Sequence, residues 1–285
     1  MPGASRSATD GLLLFLHVPK ASGTTLSRII ARQYPAGTVH RCRDVSPRAI
    51  ADAIARRPAD APALACVMGH MLFGLHAYLR QPSRYVTMLR HPVSRVVSHY
   101  EYVRRTPEHY AHRQVLDRGL TLEAYVASGL SSEVNDGQVR LLCGRDSAEA
   151  VPHGEVSEDM LEAAAANLQT HALAVGLTER FDESLLVFQR LLGWPDVRYT
   201  PENTAPRGAR PSITPAAHAL IERYNALDLR LYEHGRSILE QALAATGIDR
   251  DAVESFRARN RRHRLIIAVG RGIARGVGVR RRSGR

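Results

Sequence analysis

The chain has 285 residues, 44% of them hydrophobic and 24% charged, which excludes wholesale disorder and leaves room for one large α/β domain or two small ones. Its formal charge of +11 is confined: Arg257 to Arg285 contain eleven arginines and no acid, so the rest holds 39 − 11 = 28 basic side chains against 28 acidic ones. The globular part is therefore neutral, the excess is a C-terminal tail, and specific nucleic-acid binding is not expected.

Residues 1–10 are a loose polar lead. The apolar run Leu12 to Val18 reads as a short strand buried on both faces. Its uninterrupted part, Leu12 to Leu16, is too short for a signal-peptide core or a membrane span, so a cytoplasmic protein is expected. Pro19 ends the run. Lys20-Ala21-Ser22-Gly23-Thr24-Thr25 then leads into helical spacing at Leu26, Ile29 and Ile30. A helix over Pro47–Arg57 precedes a second strand, Ala63–Met68, which ends at Gly69-His70. A third strand, Tyr85–Leu89, ends at Arg90, and His91-Pro92 opens a helix that runs to about Arg104. Helices are expected at 121–128, 133–142 and 157–168, a fourth strand at Ala172–Leu177, and an amphipathic helix at Glu183–Leu192 stopped by Gly193-Trp194-Pro195. Residues 196–214 form a loop rich in Pro, Gly and Arg, and Pro215–Ala244 a long helical region. Apolar strands alternating with helices predict a three-layer α/β/α fold around a parallel sheet. There is no internal repeat. The expected domain spans 11–245, and 246–285 form the basic tail. There, Leu265, Ile266, Val269, Ile273 and Val277 approximate a helical face among arginines. Gly270, Gly272, Gly276 and Gly278 weaken any helix, so a mobile tail is the first expectation and attraction to an anionic membrane or polyanion the second. Cys42, Cys66 and Cys143 are widely spaced, with no CxxC pair, which argues against a disulfide framework or a zinc site.

Two segments carry the chemistry. The first is His17-Val18-Pro19-Lys20-Ala21-Ser22-Gly23-Thr24-Thr25. Small residues between a strand and a helix let the backbone approach a ligand, and the helix start offers N–H groups to an anion. Lys20 is the one lysine among 39 basic side chains, either a survivor of arginine-favouring codon bias or a position that needs a compact ammonium, and its neighbours decide between the two. The pattern is not G-x-x-x-x-G-K-[ST], for the lysine precedes the glycine by three. The second segment is Arg90 to Ser98. Arg90 ends a strand, where parallel α/β sheets bind ligands, and Ser98 follows about two helical turns later. The pair suits a phosphate: a forked guanidinium and a hydroxyl.

Together these segments resemble the PAPS-dependent sulfotransferases, in particular the branch related to carbohydrate (uronyl 2-O-type) sulfotransferases, with H-V-P-K-x-x-G-T-T at His17–Thr25 and R-x-P-x-x-R-x-x-S at Arg90–Ser98. Gly69 to His76, Asn135 to Gly144 and Val175 to Asp182 look like family members as well, so the resemblance covers about residues 11–240. The departures are Ala21-Ser22 where Thr-Gly is common and His91 where Asp is usual. The resemblance implies a P-loop-like fold and 3′-phosphoadenosine 5′-phosphosulfate (PAPS) as donor, with no metal required. It implies that Pro19, Lys20, Ala21, Ser22, Gly23, Thr24 and Thr25 hold the 5′-phosphosulfate and that Arg90 and Ser98 hold the 3′-phosphate. Arg207, in a late loop Asn203–Gly208, is expected to join them. His70 is the expected general base, with His76 as the second candidate, and Lys20 the catalytic cation. Asn135, Gln138 and Arg140 are expected to face the acceptor cleft. The acceptor is a hydroxyl, on a saccharide by resemblance, and the setting a bacterial cytoplasm with peripheral contact at the inner membrane. Two other readings stand beside this one: a nucleotide-dependent kinase of the same fold, and a non-enzymatic binder of polyanions or membranes that uses the tail.

Overall fold

The computed structural model of the chain describes residues 11–145, 148–201 and 213–280. In chain order the elements are β1 (Leu12–Leu16), α1 (Gly23–Ala31), β2 (Val39–Arg41), α2 (Pro47–Ala55), β3 (Cys66–Gly69), β4 (Ser83–Leu89), α3 (Pro92–Arg105), α4 (His112–Asp117) and α5 (Leu122–Ala127). They continue with α6 (Gly137–Leu142), α7 (Glu158–His171), β5 (Ala172–Leu177), α8 (Phe181–Leu192), α9 (Pro215–Tyr224), α10 (Ala226–Thr246) and α11 (Arg250–Arg280). The five strands form one sheet in the order β2-β3-β1-β4-β5, and every pairing is parallel.

β1 lies at the centre, and all five of its side chains are buried, as its unbroken apolar sequence requires. Leu16 pairs with Gly69 on one side and with Thr87 on the other, so β1 and β3 end at one level and β4 runs two residues further, to Leu89. That register brings the loop after β1, His70 and Arg90 to a single edge. The sheet is covered on both sides. A methyl group at Gly176 would fall 2.3 Å from the Met88 sulfur and 3.0 Å from Phe188 of α8. On the opposite face a methyl at Gly235 of α10 would fall 2.5 Å from Leu89. Both helices pack too closely for anything larger than glycine at these two points. The result is the expected three-layer arrangement around a parallel sheet with β1 at its centre. A smaller apolar cluster, built from α3, α4, α5 and α9, surrounds Tyr125 and Ile221.

Several elements differ from the sequence reading. β2 and α4 have no sequence counterpart: β2 is a three-residue, half-exposed edge strand with no apolar run. The helical region after Pro215 is two helices, broken at the fully buried Asn225. The side-chain amide of Asn225 donates to the carbonyls of Val134 and Ile221, and its oxygen accepts from Asp136 N–H. The basic stretch expected to be mobile is helical through Arg280. Val253, Phe256 and Asn260 of α11 are buried, so packing continues past residue 245.

A polar knot locks α3, α6 and α10 together. Arg95 is fully buried and pairs with Glu133 at 3.0 Å and Asp228 at 3.4 Å. Asp228 also accepts the N–H groups of Gln138 and Val139, at 3.1 and 2.8 Å. Asp136 accepts Asp228 N–H at 2.8 Å, from a left-handed backbone with φ of 46°. Burial and the nearby Asp228 push the Asp136 carboxyl up from 3.8 to about 7. A carboxyl with a raised folded-state pKa binds its proton more tightly in the fold, so its contribution to stability falls as pH climbs from about 4 to about 7. Buried His17 and His99, both lowered to about 3, act with the opposite sign over part of that window. The difference between parent and variant cancels the histidines and reads the buried Asp136–Asp228 pair, whose two carboxyls are both raised by burial. Asp136→Asn should gain stability relative to the parent as pH rises through that window, measured by urea unfolding at several pH values; a pH-independent difference would contradict the raised pKa.

Candidate active site

The loop between β1 and α1 is shaped by two left-handed residues, Lys20 (φ 65°) and Ser22 (φ 60°). Left-handed residues alternating with others in a turn point successive backbone N–H groups into a concavity suited to an anion. The mouth of α1 completes it. Ser22 makes no side-chain cap there, the first turn carries no acid, and the first N–H groups of any helix lack partners within it. Gly23 is forced by close packing: a Cβ there would lie 1.8 Å from the His17 ring. That ring stacks between Phe15, at 5.6 Å, and His70, at 4.2 Å. Burial, then His70 and Lys20, hold the His17 pKa at about 3, so this ring is neutral.

Arg90 closes the loop from β4. Its guanidinium donates to the Lys20 carbonyl at 2.9 Å. Its own backbone is gripped at both ends by Gln138, whose Oε1 accepts Arg90 N–H and whose Nε2 donates to the Arg90 carbonyl, each at 3.0 Å. The Lys20 ammonium sits 3.9 Å above the ring of Tyr102 on α3. Burial, Arg105 and Arg90 lower the Lys20 pKa to about 8, which leaves it charged at neutral pH. Ser98 is half-buried, four residues before Tyr102, and so lies on the same face of α3.

His70 is exposed at the end of β3, and its Nδ1 lies 2.9 Å from the His17 carbonyl. A carbonyl only accepts, so Nδ1 carries the hydrogen and Nε2 keeps the basic lone pair. His76 joins a different cluster, with Tyr85, Phe73 and His171. Arg207 lies outside the described residues. Of the three residues expected to face a cleft, Gln138 and Arg140 are buried, and Asn135, though little exposed, lines a cavity with Asp136, Gly154 and Tyr224, away from the Lys20 loop. Arg140 donates to the carbonyls of Asn135, Ala148, Val151 and Pro152. Asn135 holds Tyr224, Arg140 and Gly154. Their hydrogen bonds hold the backbone in place, and a helical spacing alone does not show which face is buried. Gln138 reaches the site through Arg90.

Four contributors were not foreseen: Gln138 as a clamp, Tyr102 under the lysine, Arg105 beside it, and Glu179. The spacing of Tyr102 from Ser98 was an available signal. Glu179 accepts the His91 N–H at 3.2 Å and the Tyr232 hydroxyl at 3.1 Å. His91 itself offers no side-chain cap to α3, so a carboxylate does meet the backbone at this corner, from another element.

The sequence matches the galactose-3-O-sulfotransferase family over residues 13–274. The chain belongs to this family. It is similar to heparan-sulfate 6-O-sulfotransferase 1 of Homo sapiens, 26% identical over 81% of this chain and 66% of that one. It is also similar to galactose-3-O-sulfotransferase 3 of Bos taurus, 39% identical over 30% of this chain and 22% of that one. The chain spans about two thirds of the length of the human heparan-sulfate relative. Among solved structures, a mouse sulfotransferase, SULT7A1, complexed with PAP covers 89% of each chain at 12% identity, with a TM-score of 0.38. The family match agrees with the resemblance to carbohydrate sulfotransferases read from His17–Thr25 and Arg90–Ser98.

Gly23→Ala tests the loop directly. The added methyl must displace the His17 ring, and with it the ring stacked on His70. The variant should lose anion binding at this loop by at least about tenfold, on the scale of one misplaced charged hydrogen bond. Calorimetric titration with adenosine 3′,5′-bisphosphate (PAP) reads this effect, and unchanged affinity would mean the loop is not the site.

Proposed function

We propose that this protein transfers the sulfuryl group of PAPS to a hydroxyl of a saccharide or glycoconjugate. One observation carries the reading: a single sheet edge joins a left-handed anion loop with its lone lysine, an arginine bonded to that loop, and a histidine whose free nitrogen is set by a carbonyl. Family membership supports it, and the names of the relatives point to sugar hydroxyls.

In this reading PAPS lies with its 5′-phosphosulfate over Pro19–Thr25 and its 3′-phosphate toward Arg90 and Ser98, and Arg207, outside the described residues, is a further candidate ligand of that phosphate. The acceptor oxygen attacks sulfur in line as His70 Nε2 takes its proton. The bond from sulfur to the bridging oxygen breaks, and its electron pair stays on the departing PAP phosphate. Lys20 neutralises the charge that grows there, from a loop already set in place. The transferring group bears less charge than a phosphoryl group, so the scheme needs no metal. A kinase reading is disfavoured by the absence of G-x-x-x-x-G-K-[ST] from the sequence.

Titration with PAP, AMP and ATP-Mg, with and without EDTA, decides between these readings. The account expects metal-independent binding that needs the 3′-phosphate and weakens by at least about tenfold in folded Lys20→Ala and Arg90→Ala variants. Preference for ATP-Mg would favour the kinase. In transfer assays His70→Ala should lower turnover by about 10²–10⁴-fold while PAP affinity stays the same. Full turnover in that variant would remove His70 from the mechanism.

A further inference from the structure

Helix α11 has 31 residues and is roughly 45 Å long at 1.5 Å per residue. Its first half is anchored. Phe256 is buried in the main core, and Asn260 Oδ1 accepts Tyr199 N–H at 2.8 Å. Arg257 reaches Asp182 at 3.1 Å, and the Arg264 guanidinium lies 4.9 Å from the Tyr199 ring. Directly after that clamp the character changes. Leu265 and Ile266 are 66% and 72% exposed, two adjacent aliphatic side chains turned to solvent. In the sequence Val269, Ile273 and Val277 follow at helical spacing.

The charge is as lopsided as the hydrophobicity. Eleven arginines and no acid lie between Arg257 and Arg285, while the remainder of the chain is neutral. A second copy of the same helix would bring like charges together, so self-association is disfavoured. A soluble polyanion would satisfy the arginines and leave the aliphatic pair in water. An anionic bilayer surface satisfies both, with phosphates for the arginines and the headgroup–acyl boundary for the apolar residues. Among the described residues no helix is long and apolar enough to cross a membrane. The match to this surface is therefore a helix lying on it.

We propose that α11 beyond Arg264 is a docking surface for an anionic lipid bilayer, with Leu265 and Ile266 inserted at the interface and the surrounding arginines on lipid phosphates. The proposal does not depend on the donor-site reading. A rigid anchor at Val253–Arg264 would then hold the α/β domain at a set distance from the lipid.

Co-sedimentation of the full chain with vesicles tests it. Vesicles of phosphatidylcholine with about 30% phosphatidylglycerol should bind the protein, and pure phosphatidylcholine vesicles should not. Raising salt should release it. The double variant Leu265→Asp, Ile266→Asp should lower partitioning by at least about tenfold, the scale of two aliphatic side chains returned to water. Ending the chain after Arg264 should abolish binding. Circular dichroism and PAP titration on both variants check that the domain stays folded. Equal binding to both vesicle types overturns the proposal, as does no binding by folded protein. Undiminished binding of the double variant overturns it too, and soluble heparin held with the same affinity by parent and double variant would then assign the arginines to polyanions. Loss of PAP binding with vesicle binding intact would count against the donor site alone.

Discussion

The site depends on one buried carboxylate. Asp228 pairs with the fully buried Arg95 and holds the N–H of Gln138. Gln138 then grips the backbone of Arg90 at both ends, and Arg90 bonds the carbonyl of Lys20. An unbroken line of hydrogen bonds thus runs from the core between α3, α6 and α10 to the loop at the sheet edge. Removing a partner from a buried pair of this kind typically costs about 3–5 kcal/mol, because an uncompensated charge remains. The loop carries backbone strain, since two of its residues adopt left-handed angles that side chains disfavour, and the buried Val18 and Ala21 pin it to the core. Its shape is therefore maintained by the core below it.

That arrangement gives a physical reason for the solitary lysine. A guanidinium stays charged in almost any surroundings, whereas an ammonium responds to them. At Lys20, burial and two arginines bring the pKa to about 8. An arriving polyanion offsets both effects. Tyr102 meanwhile supplies a face on which the ammonium rests. The neighbouring His17 and His70 divide the imidazole roles by environment. His17 is buried and neutral, and its carbonyl fixes the hydrogen of His70.

Much of this was legible in the sequence, and the reasons differ by element. β1 and β5 are uninterrupted apolar runs and β4 is buried from Tyr85 to Leu89, and the small-residue turn after β1 and the strand-end Arg90 announce the edge where chemistry belongs. The three-residue β2 has no such run. The Arg95–Asp228 pair joins residues 133 apart, and local spacing carries no trace of it. Asn225 divides α9 from α10 because of where its amide bonds, and not because of its helix propensity. Arg140 departs from expectation for a related reason: its polarity suggests a cleft, yet it serves the backbone of a buried turn. In α11 the glycines argued against a helix, but the buried Phe256 and Asn260 anchor its start. The family match extends to residue 274 and so takes in most of this helix.

The loop after β1, steadied from below through Arg90, is the proposed donor site. A crystal structure of the protein with PAP is its most direct test. The account predicts the 5′-phosphate against the first-turn N–H groups of α1, the 3′-phosphate near Arg90 and Ser98, and the Lys20 ammonium drawn off the Tyr102 ring toward the ligand. PAP bound at another edge of the sheet, or bound here with Lys20 still seated on Tyr102, would contradict it.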